Sequence, residues 1–142
     1  MSDFAIRIFQ PSDADKVIDI WKQCGLTRSW NDSSLDIKRQ STCQSELFFV
    51  GELKSDVIAT AMFGFDGNRG WLHYFAVLPK YQKEGFGREL LEFGEKELIA
   101  IGCPKLNLQV RAENTEAMNF YRTVGYTEEN RISFGKRLIE DE

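Results

Sequence analysis

The sequence has few of the residues that build metal sites and disulfide frameworks. It contains one histidine, His73, and three widely spaced cysteines without a Cys-x-x-Cys pair. An odd, scattered set of cysteines disfavours both a zinc site and a disulfide scaffold. We therefore expect no bound metal, and we expect Cys24, Cys43 and Cys103 to be reduced packing residues.

Long apolar runs and clustered basic residues are also missing. No apolar run approaches the roughly 20 residues that a membrane-spanning helix needs, and the first residues do not resemble a signal peptide. The 18 basic residues are scattered and the net charge is −4, which disfavours nucleic acid as a partner. With 142 residues, of which 42% are apolar, the chain is expected to form a single cytoplasmic domain over residues 1–142, without a membrane partner.

Hydrophobic periodicity and turn residues predict alternating strands and helices. One helix is expected to start in a capping box between Ser12 and Asp15 and to end at Gly25. The other predicted helices are 31–40, 86–101 and 115–124, and the predicted strands are 5–9, 47–53, 57–65, 71–77, 106–110, 127–128 and 132–138. This order indicates an α+β sandwich of a mixed sheet and flanking helices.

The most informative segment joins the strand that ends at Val77 to the following helix. The chain turns at Pro79 and enters the helix through two spaced glycines, Gly85 and Gly87. Exposed N–H groups at a helix start bind anions, and glycines let a ligand approach the main chain. No P-loop is present, and Leu90 stands where a dinucleotide fingerprint requires glycine or alanine. The junction therefore predicts a different kind of phosphate site.

A second motif follows the strand that begins at Leu106. The two motifs together are Gln82-x-x-Gly85-x-Gly87 and Asn114-x-x-Ala117-x-x-Phe120-Tyr121-x-x-x-Gly125-Tyr126. In this pair the chain resembles the GNAT superfamily of acetyl-CoA-dependent N-acetyltransferases. The likeness runs from about Phe4 to about Leu138, and it is strongest to the ribosomal-protein alanine acetyltransferase branch and to bacterial YpeA-type acetyltransferases.

The resemblance implies a GNAT-like, mostly antiparallel sheet whose strands 71–77 and 106–110 splay into a V that admits acetyl-CoA as cosubstrate. The implied coenzyme-binding residues are Phe75, Ala76, Val77, Gln82, Lys83, Glu84, Gly85, Phe86, Gly87, Arg88, Asn114 and Tyr121. Backbone groups of 75–77 would pair with the pantetheine arm as an added strand does, and the N–H groups of 83–88 would surround the diphosphate.

Several of these residues also have a purely structural interpretation. Gln82 fits a solvated turn, Lys83 and Arg88 fit a solvated helix start, and Asn114 fits an N-cap that needs no ligand. Tyr121 shares an apolar helix face and fits a core aromatic. With the motif, Tyr121 becomes the predicted catalytic acid, which protonates the departing thiolate after direct attack of a neutral amine on the thioester.

The general base is not identified by sequence. The alanine acetyltransferase branch carries a glutamate where this chain has Gln109, so the candidates are His73, Glu113, Glu46 or a water chain. Strict strand alternation would place His73 with Phe75 and Val77 on one face, and Tyr74 with Ala76 on the other.

Without that glutamate, a weakly basic acceptor is favoured, such as a peptide N-terminus, an amino acid or another amine of low pKa. Two alternatives stay open: a non-catalytic acetyl-CoA-binding or regulatory module of the same fold, and a different acyl donor. A homodimer is also compatible with the sequence.

Overall fold

A computed structural model describes residues 3–141 of the chain. These residues form two compact units, Met1–Leu108 and Gln109–Glu142, which are described separately. Among residues 3–141, no helix is both long enough and apolar enough to cross a membrane.

The first unit is built on a five-stranded sheet. Its strands are β1 (Phe4–Ile8), β2 (Phe48–Leu53), β3 (Asp56–Phe65), β4 (Gly70–Val77) and β5 (Leu106–Leu108), and they lie in that order. The first three pairings are antiparallel and the pairing of β4 with β5 is parallel. The mixed α+β architecture expected from the sequence is thus confirmed, with β5 as an edge strand of the sheet.

Helices cover both faces of this sheet because β3 presents alternate side chains to each. The indole Nε1 of Trp21, on helix α1 (Ala14–Gln23), donates to Thr60 Oγ1 at 3.0 Å on one face. On the other face, helix α3 (Phe86–Ala100) packs its Gly94 against the ring of Phe63. A Cβ at Gly94 would lie 2.0 Å from Cζ of Phe63, so the close contact of α3 with β3 requires glycine.

The start of α1 differs from the prediction. Instead of a capping box between Ser12 and Asp15, a short 3₁₀ turn (Pro11–Asp13) precedes the helix, and the Gln10 N–H donates to Asp13 Oδ2 at 2.8 Å. The reason is a long-range ion pair, in which Arg7 on β1 donates to both Asp13 carboxylate oxygens, at 2.8 and 2.9 Å. This pair holds the Asp13 carboxylate beside the Gln10 N–H and lowers the pKa of Asp13.

The remaining helices of this unit match their predicted positions. Helix α2 (Ser33–Ser41) starts at the N-cap Asp32, whose side chain accepts from the N–H groups of Ser34 and Leu35. Gly25 follows the end of α1 with a φ of 70°, in the left-handed region that glycine adopts readily.

The second unit contains helix α4 (Thr115–Thr123) and otherwise irregular chain. The predicted strands at 127–128 and 132–138 are wrong, because no strand is formed within residues 109–141. An alternating pattern makes a strand only when a neighbouring strand pairs with it. Here Ile132 and Phe134 are 85% and 95% exposed, so the apolar positions of this pattern do not pack into a core.

Candidate active site

The junction between β4 and α3 has the geometry expected of an anion-binding helix start. After a 3₁₀ turn (Pro79–Tyr81), Lys83 and Gly85 adopt φ values of 66° and 90°, and Gly85 is the N-cap of α3 without a side-chain cap. The first intrahelical bond runs from the Glu89 N–H to the Gly85 carbonyl at 3.1 Å. The N–H groups of Phe86, Gly87 and Arg88 precede that bond and are therefore available to a ligand.

The side chains at this junction are less suited to a ligand than its main chain. Gln82 turns back and donates from Nε2 to the Val77 carbonyl at 2.8 Å, which joins the loop to the end of β4. The guanidinium of Arg88 pairs with Glu92 at 3.0 Å. Lys83 and Glu84 are exposed. Residues 75–77 end β4 and residues 82–88 lead into α3, so the predicted residues lie close along the chain. The donors accessible there are the backbone N–H groups of 86–88 and the exposed Lys83 ammonium.

A β-bulge interrupts β4 just before this junction. Thr60 pairs with Ala76 and Met62 pairs with His73, so that a single β3 residue, Ala61, lies opposite two β4 residues. Tyr74 at the bulge has a φ of 51°. An aromatic residue there is strained by about 1–3 kcal/mol, and such strain is typical of functional sites.

The bulge corrects the predicted faces of β4. Residues directly opposite each other in an antiparallel pair share a face, and Thr60 and Met62 are both on the α1 face of β3. His73 and Ala76 therefore share that face, whereas strict alternation had assigned them to opposite faces. Tyr74 joins them there, because its ring stacks on Trp21 with centroids 3.8 Å apart.

His73 is an exposed side chain on this face. Desolvation by the surrounding protein lowers its pKa below the usual value for histidine, and the charge of Asp36 on α2 opposes this shift to a smaller extent. The imidazole is consequently neutral near pH 7 and can accept a proton.

Sequence reasoning missed the residues that surround the bulge. Thr60 and Trp21 are both 0% exposed, and Thr60 Oγ1 donates to the Tyr74 carbonyl at 2.8 Å. The Tyr74 hydroxyl donates in turn to the Asp36 carboxylate. One signal was visible in the sequence: Thr60 is a polar residue in the middle of the apolar run of β3, and a buried hydroxyl needs partners.

In the second unit, Asn114 and Tyr121 belong to α4 and its N-cap. The Asn114 side chain accepts from the Ala117 N–H at 3.1 Å, so its capping role is confirmed. Tyr121 is half-buried, its ring lies beside those of Phe120 and Tyr126, and burial raises the pKa of its hydroxyl above the usual value for tyrosine. A hydroxyl that stays protonated at neutral pH is suited to donate a proton.

Gln109, at the position where the resemblance implies a glutamate in related enzymes, is bonded within the same unit. Its Nε2 donates to the Ser133 hydroxyl at 2.6 Å. An amide cannot act as a general base, so Gln109 is excluded as the proton acceptor of the predicted reaction.

No metal centre is found in the described part of the chain, and the Cys24 thiol is not activated. Within residues 3–141 no group of three or more histidine, cysteine or acidic residues is arranged to hold a metal ion. The Cys24 thiol donates to the Val77 carbonyl at 3.3 Å, and burial raises its pKa. A thiol with a raised pKa is a poor nucleophile, which disfavours a covalent acetyl-cysteine route through Cys24.

Comparisons with known proteins identify the family and the fold. The family model described as "Acetyltransferase (GNAT) family" matches residues 14–126. A protein named acetyltransferase from Yersinia pestis (strain Pestoides F) is 43% identical over 137 residues, which cover 96% of this chain and 97% of that protein. A second relative that is also named as an acetyltransferase, from Yersinia enterocolitica, is 42% identical over 137 residues, which cover 96% of this chain and 97% of that protein.

Solved structures show the same fold. The ribosomal-protein-S18-alanine N-acetyltransferase from Escherichia coli is 26% identical, with a TM-score of 0.74 over 89% of this chain and 79% of that chain. PaiA N-acetyltransferase from Thermoplasma acidophilum, solved in complex with coenzyme A, has a TM-score of 0.76 at 22% identity, over 93% and 94% of the two chains. From the family match and the close relatives, this chain belongs to the GNAT family of N-acetyltransferases.

Proposed function

We propose that the chain transfers an acetyl group from acetyl-CoA to a primary amine of low pKa. The observation that carries the proposal is the junction at the end of β4, where two left-handed residues, Lys83 and Gly85, lead into the uncapped start of α3. The coenzyme A bound by the structurally similar PaiA enzyme supports the same donor for this chain.

The coenzyme would bind mainly through main-chain groups of the first unit. The N–H groups of Phe86, Gly87 and Arg88 would hold the diphosphate, and the backbone of Phe75, Ala76 and Val77 would hold the pantetheine arm. Arg88 and Gln82 already bond within the protein, so their side chains contribute less than their main chains. From the second unit, Asn114 and Tyr121 are the proposed coenzyme contacts.

The proposed reaction is a direct acyl transfer. The neutral amine nitrogen forms a bond to the thioester carbon, the carbon–sulfur bond breaks, and the thiolate takes the proton of the Tyr121 hydroxyl. The amine loses a proton to the base, and the tyrosinate regains a proton from solvent. N–H groups of β4 near the bulge would stabilise the carbonyl oxygen as its charge develops.

The acceptor class follows from the missing glutamate. Removing the proton from a lysine-type amine of pKa about 10.4 costs about 4 kcal/mol near pH 7.4, whereas an α-amine of pKa about 7.8 costs only about 0.5 kcal/mol. Because Gln109 cannot supply a base and is bound to Ser133, an acceptor that is already partly neutral is favoured. A peptide N-terminus or a small amine of low pKa meets this requirement.

His73 is the best placed of the candidate bases in the first unit. It lies on β4, the strand that carries the proposed carbonyl-binding N–H groups, and it is exposed and neutral near pH 7. Glu46, by contrast, lines a separate groove with Phe93 and Ile101. Ile101 follows the last residue of α3, a 15-residue helix that extends about 20 Å from the proposed diphosphate site.

Thiol release from acetyl-CoA tests the proposal directly. We expect turnover with a panel of amines, and kcat/KM at pH 7.4 at least about tenfold higher for peptide α-amines than for lysine side-chain analogues of matched size. A clear preference for the lysine analogues would overturn the acceptor class. Coenzyme binding without amine-dependent release across the panel would overturn the enzymatic function and favour a binding module.

A further inference from the structure

The β4 bulge is held from one side by a buried hydrogen-bond chain. Trp21 Nε1 donates to Thr60 Oγ1 at 3.0 Å, and Thr60 Oγ1 donates to the Tyr74 carbonyl at 2.8 Å. Trp21 and Thr60 are both 0% exposed. The Trp21 ring also stacks on the Tyr74 ring at an interplanar angle of 15°, so the same indole contacts the strained residue directly and through Thr60.

The donors and acceptors of these two hydrogen bonds are unambiguous. An indole N–H can only donate, so the Thr60 oxygen must accept from Trp21 and must use its single proton for the Tyr74 carbonyl. That bond fixes the orientation of the peptide plane between Tyr74 and Phe75, because a carbonyl and the following N–H belong to one planar unit. The Phe75 N–H therefore points to the side opposite to the bond from Thr60.

Packing alone does not require a hydroxyl at this position. Residues 57–63 of β3 are all buried, and every one except Thr60 is apolar. A valine of the same shape would pack as well, but it would leave the Trp21 N–H and the Tyr74 carbonyl without this shared partner. The hydroxyl thus serves the bulge, where the peptide plane must be held against a strained φ of 51°.

We propose that Thr60 is a positioning residue for acetyl transfer, which fixes the bulge so that the Phe75 N–H, in the peptide plane held by Thr60, is aligned with the thioester carbonyl. The inference rests on the proposed function for its kinetic consequence, but the alignment itself can be measured without turnover. Losing one aligned donor typically costs about 10²–10³ in rate, so partial misalignment should cost about ten- to a hundredfold.

The experiment compares Thr60→Val with Thr60→Ser and with Ile58→Val. Serine keeps the hydroxyl, and Ile58→Val is a matched control because Ile58 is a 0% exposed residue of the same strand with no hydrogen bond to lose. We expect Thr60→Val to lower kcat by about ten- to a hundredfold with KM for acetyl-CoA changed less than about threefold. Thr60→Ser should recover most of the rate, and Ile58→Val should keep kcat within about threefold.

Amide NMR spectra give the readout that is independent of activity. In Thr60→Val the Phe75 and Ala76 amide resonances should shift and exchange faster with solvent, whereas in Ile58→Val they should stay in place. If Thr60→Val does not fold, Thr60→Cys, which is similar in size and a weak donor, takes its place. Unmoved amides, or a kcat no lower than that of Ile58→Val, would overturn the inference. A wild-type protein without turnover would instead overturn the proposed function, and the amide shifts would still decide the role of Thr60 in alignment.

Discussion

The two units of the molecule differ in what they offer to the proposed reaction. Within residues 3–141 every buried residue belongs to the first unit, where the groups proposed to bind the coenzyme are backbone N–H and carbonyl groups on β4 and α3. In the second unit, residues 109–141 are exposed or half-buried, and the proposed contributions come from the side chains of Asn114 and Tyr121. A packed core positions main-chain groups largely independently of which side chains they carry. The contributions proposed for Asn114 and Tyr121, by contrast, depend on the chemistry of those two side chains.

The largest effect on kcat should come from one atom of the second unit, the hydroxyl oxygen of Tyr121. Tyr121→Phe removes the proposed proton donor and should lower kcat by about 10²–10³ while acetyl-CoA affinity stays within about threefold. Tyr126→Phe is the matched control, since that ring is also half-buried and lies 5.8 Å from the Tyr121 ring. Steady-state thiol release and calorimetric titration measure the two quantities. Equal losses in both variants, or loss of folding in Tyr121→Phe, would support a core aromatic role instead.

In the first unit, the largest effect should be on stability. Gly94→Ala would place a Cβ 2.0 Å from Cζ of Phe63, and overpacking of this kind costs about 1–3 kcal/mol, against a gain of roughly 0.5–1 kcal/mol in helix propensity. We expect a net loss of about 1–2 kcal/mol in the free energy of unfolding, measured by urea denaturation. The exposed helix position Glu92→Ala serves as control and should change this quantity by less than about 0.5 kcal/mol. An unchanged Gly94→Ala midpoint would contradict the close packing of α3 on β3.

The coenzyme junction should respond to a backbone change rather than to a change of side-chain chemistry. Gly85 has a φ of 90°, and a Cβ added there would have no atom within 4 Å. Gly85→Ala therefore meets no steric clash and acts only by straining the backbone of the loop. We expect acetyl-CoA binding to weaken about tenfold, equivalent to about 1.4 kcal/mol, with calorimetry as the measurement. Gly67→Ala, at a φ of 95° in a turn remote in sequence, should leave the affinity unchanged. Equal affinities for wild type and Gly85→Ala would argue against the junction as the diphosphate site.

The smallest expected effect concerns His73, the one side chain of the first unit proposed to act chemically. The neutral form of His73 is the active one. A lowered pKa therefore predicts that kcat falls only at pH values below the usual pKa of histidine. His73→Gln should remove this acidic limb and lower kcat at pH 7.4 by about three- to tenfold, because an amine of low pKa needs little help. The pH profiles of both proteins with the same amine separate this limb from the titration of the substrate. Coincident profiles would exclude His73 as the base.

Sequence reasoning succeeded where a structure depends on neighbouring residues. The N-cap of α4 at Asn114, the glycine after α1 and the start of α3 at Phe86 are all specified by local chemistry. Sequence reasoning failed where distant residues decide: Arg7 on β1 holds Asp13, which bonds the 3₁₀ turn before α1, and a bulge moves His73 to the face of Ala76. The false strands at 127–128 and 132–138 have the same origin, since pairing partners are not encoded in the segment itself.

The backbone carbonyl at the end of β4 has a consequence for how the coenzyme can lie. The Val77 oxygen already accepts from Gln82 Nε2 at 2.8 Å and from the Cys24 thiol at 3.3 Å, and a carbonyl oxygen has two lone pairs. Both lone pairs are occupied, so in the proposed complex the pantetheine amides would donate to other carbonyl groups of the strand, and Val77 would offer them only its N–H. The end of β4 would therefore recognise a hydrogen-bond acceptor of the pantetheine arm, such as an amide oxygen, and not a donor.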